Sequence, residues 1–382
     1  MNSAAIFKQR LQQLIAAPSV SCTLAEHDMS NLQVIHLLSN WLEELGFDCK
    51  IQPVSEGKAN LIACIGRGSG GLVLSGHSDT VPYDESRWQS DPFTLTETNQ
   101  RLYGLGTCDM KAYFPVILAA IENLDVKNQS LTHPLFVIAT SDEESSMDGA
   151  RALVKQSVND ARYAIIGEPT GLVPIRMHKG ITMERLRIKG KAGHSSNPAL
   201  GSNAIDAMHK ALTELTDFRN QLQQKYQHPG FTVAEPTMNF GCIHGGDNPN
   251  RICGECILDF DIRPLPGMAI DQIHQELEQR LQKLTETCEV SLTLERLFPG
   301  VEAFEQAHDS PLVELAESLS GHQSESVAFA TEAPYLQALG MQTIVMGPGS
   351  IDQAHQPNEF LDTAQIDPAI AIIENAIRRC CL

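Results

Sequence analysis

The sequence predicts an α/β protein whose large domain is interrupted by a smaller α+β domain of ferredoxin-like order. Three observations carry this expectation. Buried-type strands alternate with helices up to about residue 178, the order changes to βαββαβ from about 181, and helix, strand and helix return near the C-terminus. The expected boundaries are 1–178 and 292–382 for the two parts of the large domain and 179–291 for the insert. A chain of 382 residues has room for two or three folding units at about 150 residues each.

Leu32, Ile35, Leu38, Leu42 and Leu45 recur at helical spacing before Gly46, so the spacing predicts a helix over about 30–45. Phe47, Cys49 and Ile51 alternate with polar neighbours, while 61–65 and 72–74 are short apolar runs closed by glycine, as in strands of a covered sheet. Met110, Tyr113, Phe114, Ile117, Leu118, Ile121 and Leu124 form the stripe of an amphipathic helix. Residues 135–139 and 163–166 read as further buried strands, with a helix starting near Asp148 between them. In the insert, strands are expected over about 181–190, 237–243, 255–262 and 289–297. Its helices carry Ile205, Met208, Leu212 and Leu215, then Ile270, Ile273, Leu277, Leu281 and Leu284. The proline-bearing segment 228–236 is a loop within it; helical character at 311–320, a strand at 343–346 and a helix at about 363–379 complete the large domain.

With 28 basic and 47 acidic side chains the net charge is −19, a field that repels phosphate backbones and anionic membranes, so no nucleic-acid or membrane partner is expected. No apolar run approaches the roughly 20 residues of a membrane span, and the first residues lack the apolar stretch of a secretory signal. Ten scattered cysteines fit a reducing compartment, and the cytoplasm is the expected location. Cys253 and Cys256 form a lone CxxC, read as incidental rather than as a zinc site.

The chemistry lies just beyond predicted strands. Gly76-His77-Ser78-Asp79 follows one strand, Gly104 to Lys111 precedes the Tyr113 helix, and Ser141-Asp142-Glu143-Glu144 and Gly167-Glu168-Pro169 follow two more. In open α/β sheets this edge is where ligands bind. Each motif alone is more often a solvated turn or a helix cap. Together they would crowd Asp79, Asp109, Glu143, Glu144 and Glu168, which demands neutralising cations. His77 and His355, the latter in a Gly/Pro-rich loop after the last strand, add nitrogen donors. Mixed His and carboxylate donors suit zinc, cobalt or manganese, and two ions sharing a carboxylate would use them all.

The strings GHSDTVP, LYGLGTCDMK, TSDEE, GEP and AGHSS and the His355 loop, in this order around an inserted domain, resemble the M20 metallopeptidase family over essentially the whole chain. One departure is Ala112, where the family string continues DMKG, at a position that is no ligand. The resemblance implies a mixed-sheet zinc-peptidase catalytic domain with a ferredoxin-like dimerisation or lid domain, and two Zn2+ replaceable by Co2+ or Mn2+. By that resemblance Asp109 bridges the ions, His77 and Glu168 hold one, and Glu144 and His355 hold the other. Asp79 orients His77, and Glu143 is the general base. His194 supplies an oxyanion donor and reaches the partner subunit's site, implying a homodimer. Asn250 and Arg263 match positions that grip a substrate carboxylate.

The implied reaction is amide hydrolysis of a small N-acylated amino acid. Glu332 is a candidate for attracting a substrate side chain that ends in an ammonium. That favours an acetylated diamino acid over a succinylated one, whose acyl group carries a further carboxylate. A non-catalytic binder on the same scaffold would have no use for Glu143, and no GxSxG elbow supports a serine hydrolase.

Overall fold

The computed structural model describes residues 3–382. In chain order its principal elements begin with helices α1 (Ser3–Ile15) and α2 (Leu32–Glu44) and strands β1 (Asp48–Ser55), β2 (Lys58–Ile65) and β3 (Leu72–His77). Helix α3 (Tyr113–Asn123) and strands β4 (Leu135–Thr140) and β5 (Tyr163–Pro169) follow. Next come β6 (Thr182–Lys189), α4 (Ala204–Lys225), β7 (Thr237–Gly245), β8 (Glu255–Arg263), α5 (Ile270–Cys288) and β9 (Ser291–Arg296). The chain closes with α6 (Pro311–Ser320), β10 (Gln342–Gly347) and α7 (Ile366–Cys381). These elements form two units, one of residues up to Arg176 with Gln306–Glu325 and Thr331–Leu382, the other of Met177–Glu305 with Ser326–Ala330.

In the large unit the strand order is β1-β2-β4-β3-β5-β10. The pairs β1/β2 and β2/β4 are antiparallel, and β4/β3, β3/β5 and β5/β10 are parallel, so the sheet is mixed. Strands β3 and β4 are buried along their whole length, which is why they read as continuous apolar runs. Helix α2 ends where expected, with Gly46 at φ 89° beyond it. Helix α3 departs from the amphipathic stripe, for every residue from Tyr113 to Ile121 is buried. The reason is that α1, α7 and the sheet all pack around it. Helix α1, absent from the expectations above, supplies Phe7, Leu11, Leu14 and Ile15 to that core. Because β3, β4, β5 and β10 run parallel, their C-terminal ends open on one edge, and the loops leaving them carry the candidate residues.

The small unit has the antiparallel order β7-β8-β6-β9 with helices α4 and α5 between strands, the expected ferredoxin-like arrangement. Leu186, Ile188, Leu258 and Phe260 face Met208, Leu215, Phe218, Leu277 and Leu281 in its core. Asn203 caps α4 by accepting the Ile205 N–H. Cys253 and Cys256 are buried in this core, and the Cys253 Sγ bonds the Glu255 carbonyl at 3.0 Å. The return to the large unit comes later than the expected position 292. Strand β9 pairs with β6, Val301 bridges Ile181, and Phe304 pairs with His178, so residues 292–305 belong to the small unit. Among the described residues no helix is long and apolar enough to cross a membrane.

Candidate metal centre

His77 is the last residue of β3 and is completely buried. Its Nε2 lies 3.0 Å from Asp109 Oδ1 and 3.8 Å from Glu168 Oε1. Glu168 sits at the end of β5, where Gly167 leaves room for the Tyr113 ring; a Cβ on Gly167 would lie 2.1 Å from that ring. His355 follows β10 through a loop and has φ 60°. Its Nε2 stands 3.0 Å from Glu144 Oε2 and 3.6 Å from Asp109 Oδ2. The two oxygens of Asp109 thus face different imidazoles. Two donor sets result, His77/Asp109/Glu168 and Asp109/Glu144/His355, sharing Asp109.

The electrostatics call for cations. Burial, followed by the charge of Glu168, drives the Glu143 carboxyl well above the usual carboxylate range, and burial followed by the charge of Asp109 does the same to Glu168. Burial pushes Asp79 up to about 7. The hydrogen bond with Glu144 raises His355 to about 9; in His77 burial opposes protonation, but its bond to Asp109 and the surrounding carboxylates overcome it. Protons on these groups compensate for excess negative charge, which is the work a divalent ion would do. Asp79 Oδ1, Glu144 Oε1 and Glu168 Oε1 are buried without a hydrogen-bond partner, so two of the proposed ligands hold an oxygen in reserve. The donor set and these orphaned oxygens fit a two-ion centre.

Asp79 does not stand quite as expected. The short contact to His77 Nδ1 is made by the Asp79 backbone carbonyl at 3.0 Å, with the carboxylate Oδ1 at 3.8 Å. Its Oδ2 instead accepts the Glu144 N–H at 3.1 Å, linking the two donor sets. Glu332 is deeply buried. It is 1% exposed, and its Oε2 accepts the Ser75 hydroxyl at 3.3 Å, two residues before His77 along β3. The carboxylate is thus bonded to the strand that carries His77, and its Oε1 is buried without a hydrogen-bond partner.

The remaining candidates belong to the small unit. His194 is exposed, with Nδ1 2.8 Å from Ser196 Oγ. Asn250 is brought beside it, since its carbonyl accepts the Ser195 N–H at 3.1 Å and the two residues line one hollow with Arg251. Arg263, at the end of β8, pairs with Asp261 at 2.9 Å and lies outside that hollow.

Several residues that shape the centre were not singled out from the sequence. Lys58, 4% exposed along its side chain, pairs with Asp28 at 2.7 Å and Asp142 at 2.9 Å, and Ser21 Oγ also donates to Asp142. These bonds hold the turn before Glu143, where Asp142 has φ 58°. Lys111 is buried, donates to the Leu14 and Ala17 carbonyls, and is pushed down to about 7 by burial. Glu359 accepts backbone N–H groups from the loop that carries Asp109. A charged residue inside or beside an apolar helix start is the signal for Lys111; nothing in the local pattern marks Lys58 or Glu359.

Fold and donor sets define a metal-dependent hydrolase. The model of peptidase family M20/M25/M40 matches residues 73–379, and the chain belongs to that family. The acetylornithine deacetylase of Proteus mirabilis is 48% identical over 378 residues, covering 98% of this chain and 97% of that protein. The acetylornithine deacetylase of Aliivibrio salmonicida is 47% identical over 375 residues, 98% of each. Among solved structures, an M20 family metallo-carboxypeptidase from Sulfolobus solfataricus is similar with a TM-score of 0.76 at 20% identity, covering 97% of this chain and 98% of that one. Aminopeptidase PepT from Bacillus cereus also has a TM-score of 0.76 at 20% identity, with 98% and 99% covered. The structural likenesses establish the shared fold.

Proposed function

We propose that this enzyme removes the acetyl group from N2-acetyl-L-ornithine, giving L-ornithine and acetate. The meeting of two His/carboxylate sets at Asp109, with Glu143 beside them, carries the hydrolytic part of this reading. Full-length identity of 47–48% to acetylornithine deacetylases supports the substrate.

His77, Asp109 and Glu168 would hold one Zn2+ and Asp109, Glu144 and His355 the other, with Co2+ or Mn2+ able to substitute. Two such ions, when bound, supply Lewis acidity that acidifies a water and polarises the scissile carbonyl. Glu143 accepts the proton of the attacking water and returns it to the departing amine. Of its neighbours, Glu144 engages His355 through one oxygen and Asp79 accepts the Glu144 N–H through one. Asp79 sets the orientation of His77 through its carbonyl and of Glu144 through its carboxylate. His194 would donate a hydrogen bond to the developing oxyanion, and Asn250 and Arg263 would bind the substrate carboxylate. The enzyme acts as a cytoplasmic homodimer in which His194 serves the partner subunit's site.

Side-by-side rates on N2-acetyl-L-ornithine, an N-succinylated diamino acid and an uncharged N-acetyl amino acid test the substrate. Preference for the acetylated diamino acid is expected, and preference for the succinylated one overturns the reading. For the shared site, mixing His194→Ala chains with Glu143→Gln chains should restore activity that neither has alone; no recovery contradicts it.

A further inference from the structure

Glu359 belongs to neither donor set and takes no part in the scheme above, yet it is 2% exposed. Its Oε1 accepts the backbone N–H of Cys108 at 2.6 Å and of Asp109 at 2.9 Å. Its Oε2 accepts the Gly106 N–H at 2.9 Å. The Glu359 carbonyl accepts the Gly104 N–H at 3.1 Å and the Thr107 hydroxyl at 3.4 Å. The stretch 104–109 includes Gly104 at φ 156° and Gly106 at φ 87° and belongs to no strand ladder or regular helix. Its buried N–H groups need acceptors from elsewhere, and one residue supplies most of them. That residue lies four positions after His355 and so ties the two loops that meet at the centre.

We propose that Glu359 is a positioning residue that fixes the Asp109 loop, so that each carboxylate oxygen of Asp109 faces its own donor set, and that keeps this loop in register with His355. The proposal rests on the two-ion reading of the site. Oxygens of Asp109 that face opposite ways, at 3.0 Å from His77 and 3.6 Å from His355, leave little tolerance for rotation of the loop. Glu359→Gln is the informative change, because it keeps size and one acceptor oxygen but turns an amide NH2 toward a backbone N–H.

The test titrates chelator-stripped protein with Zn2+ against a competing chromophoric chelator. It records the Co2+ absorption spectrum in parallel and measures urea unfolding of the stripped form. Wild type should bind about two ions. Glu359→Gln should bind both about tenfold or more weakly and show an altered Co2+ spectrum, while Glu359→Asp should fall between. Glu184→Gln, a buried carboxylate of the small unit, should lower stability but leave zinc affinity and the Co2+ spectrum unchanged. If Glu359→Gln fails to fold, Glu359→Asp carries the same comparison. Two ions bound by the variant with wild-type affinity and spectrum would overturn the proposal alone. A wild type that binds a single ion would overturn the two-ion reading and this proposal with it.

Discussion

Replacing Glu143 by Gln removes a proton acceptor while leaving the shape of the side chain almost unchanged. A positioned general base contributes about 10²–10⁴ in rate, or roughly 3–5 kcal/mol of barrier. The expected loss on removing it falls in that range, about 10²–10⁴ in kcat. Three neighbouring carboxylates each have one oxygen already committed. Glu144 Oε2 is engaged by His355 at 3.0 Å, Asp109 Oδ1 by His77 at 3.0 Å, and Asp79 Oδ2 by the Glu144 N–H at 3.1 Å. Neutralising one carboxyl in a group that repels Glu168 and Glu144 also leaves the donor sets intact, so metal content should stay at about two ions per chain. The assay is steady-state turnover of N2-acetyl-L-ornithine together with elemental analysis of the same sample. A loss smaller than about tenfold with full metal content would refute the base assignment. Loss of one ion would instead make Glu143 a ligand.

His355→Ala removes the only nitrogen from its donor set and should reduce zinc from about two ions per chain to about one, read by elemental analysis. Lys58→Met leaves Asp28 and Asp142 facing each other without their cation and should destabilise the protein by about 3 kcal/mol in urea unfolding. Glu332→Gln, given the burial of that carboxylate, should change rates on N2-acetyl-L-ornithine and on an uncharged N-acetyl amino acid by the same factor; selective loss on the cationic substrate would restore a direct recognition role. Burial depresses the imidazole of His178 to about 4. The unfolded chain then binds the extra proton as pH falls below about 6.5, so its contribution of about 3 kcal/mol is present above that pH and lost towards pH 4. His178→Asn should flatten the acid limb of the stability curve over that window, and an unchanged slope would count against it.

The fold and the meeting of the candidate donor residues were largely legible because their signals are local or periodic. Strands β3 and β4, covered on both faces, announce themselves as apolar runs, and the acids that follow them need only the parallel-sheet rule to be brought to one edge. The insert's strand and helix periods likewise gave its topology. Less was legible where the determining partner is distant in sequence. Burial of α3 on all sides depends on α1 and α7, which its own stripe does not contain. The small unit extends to 305 because of pairing by Val301 and Phe304, invisible in a short segment with no regular period. The burial of Glu332, bonded to Ser75, likewise depends on a partner distant in sequence. Lys58 and Glu359 act on backbone turns and carboxylates far along the chain, and no spacing rule reports such contacts.

The most direct test is anomalous diffraction at the zinc edge from crystals of the zinc-saturated enzyme. Two peaks are predicted, one among His77, Asp109 and Glu168 and one among Asp109, Glu144 and His355, with Asp109 contacting both. A single peak, or zinc bound away from Asp109, would contradict the account.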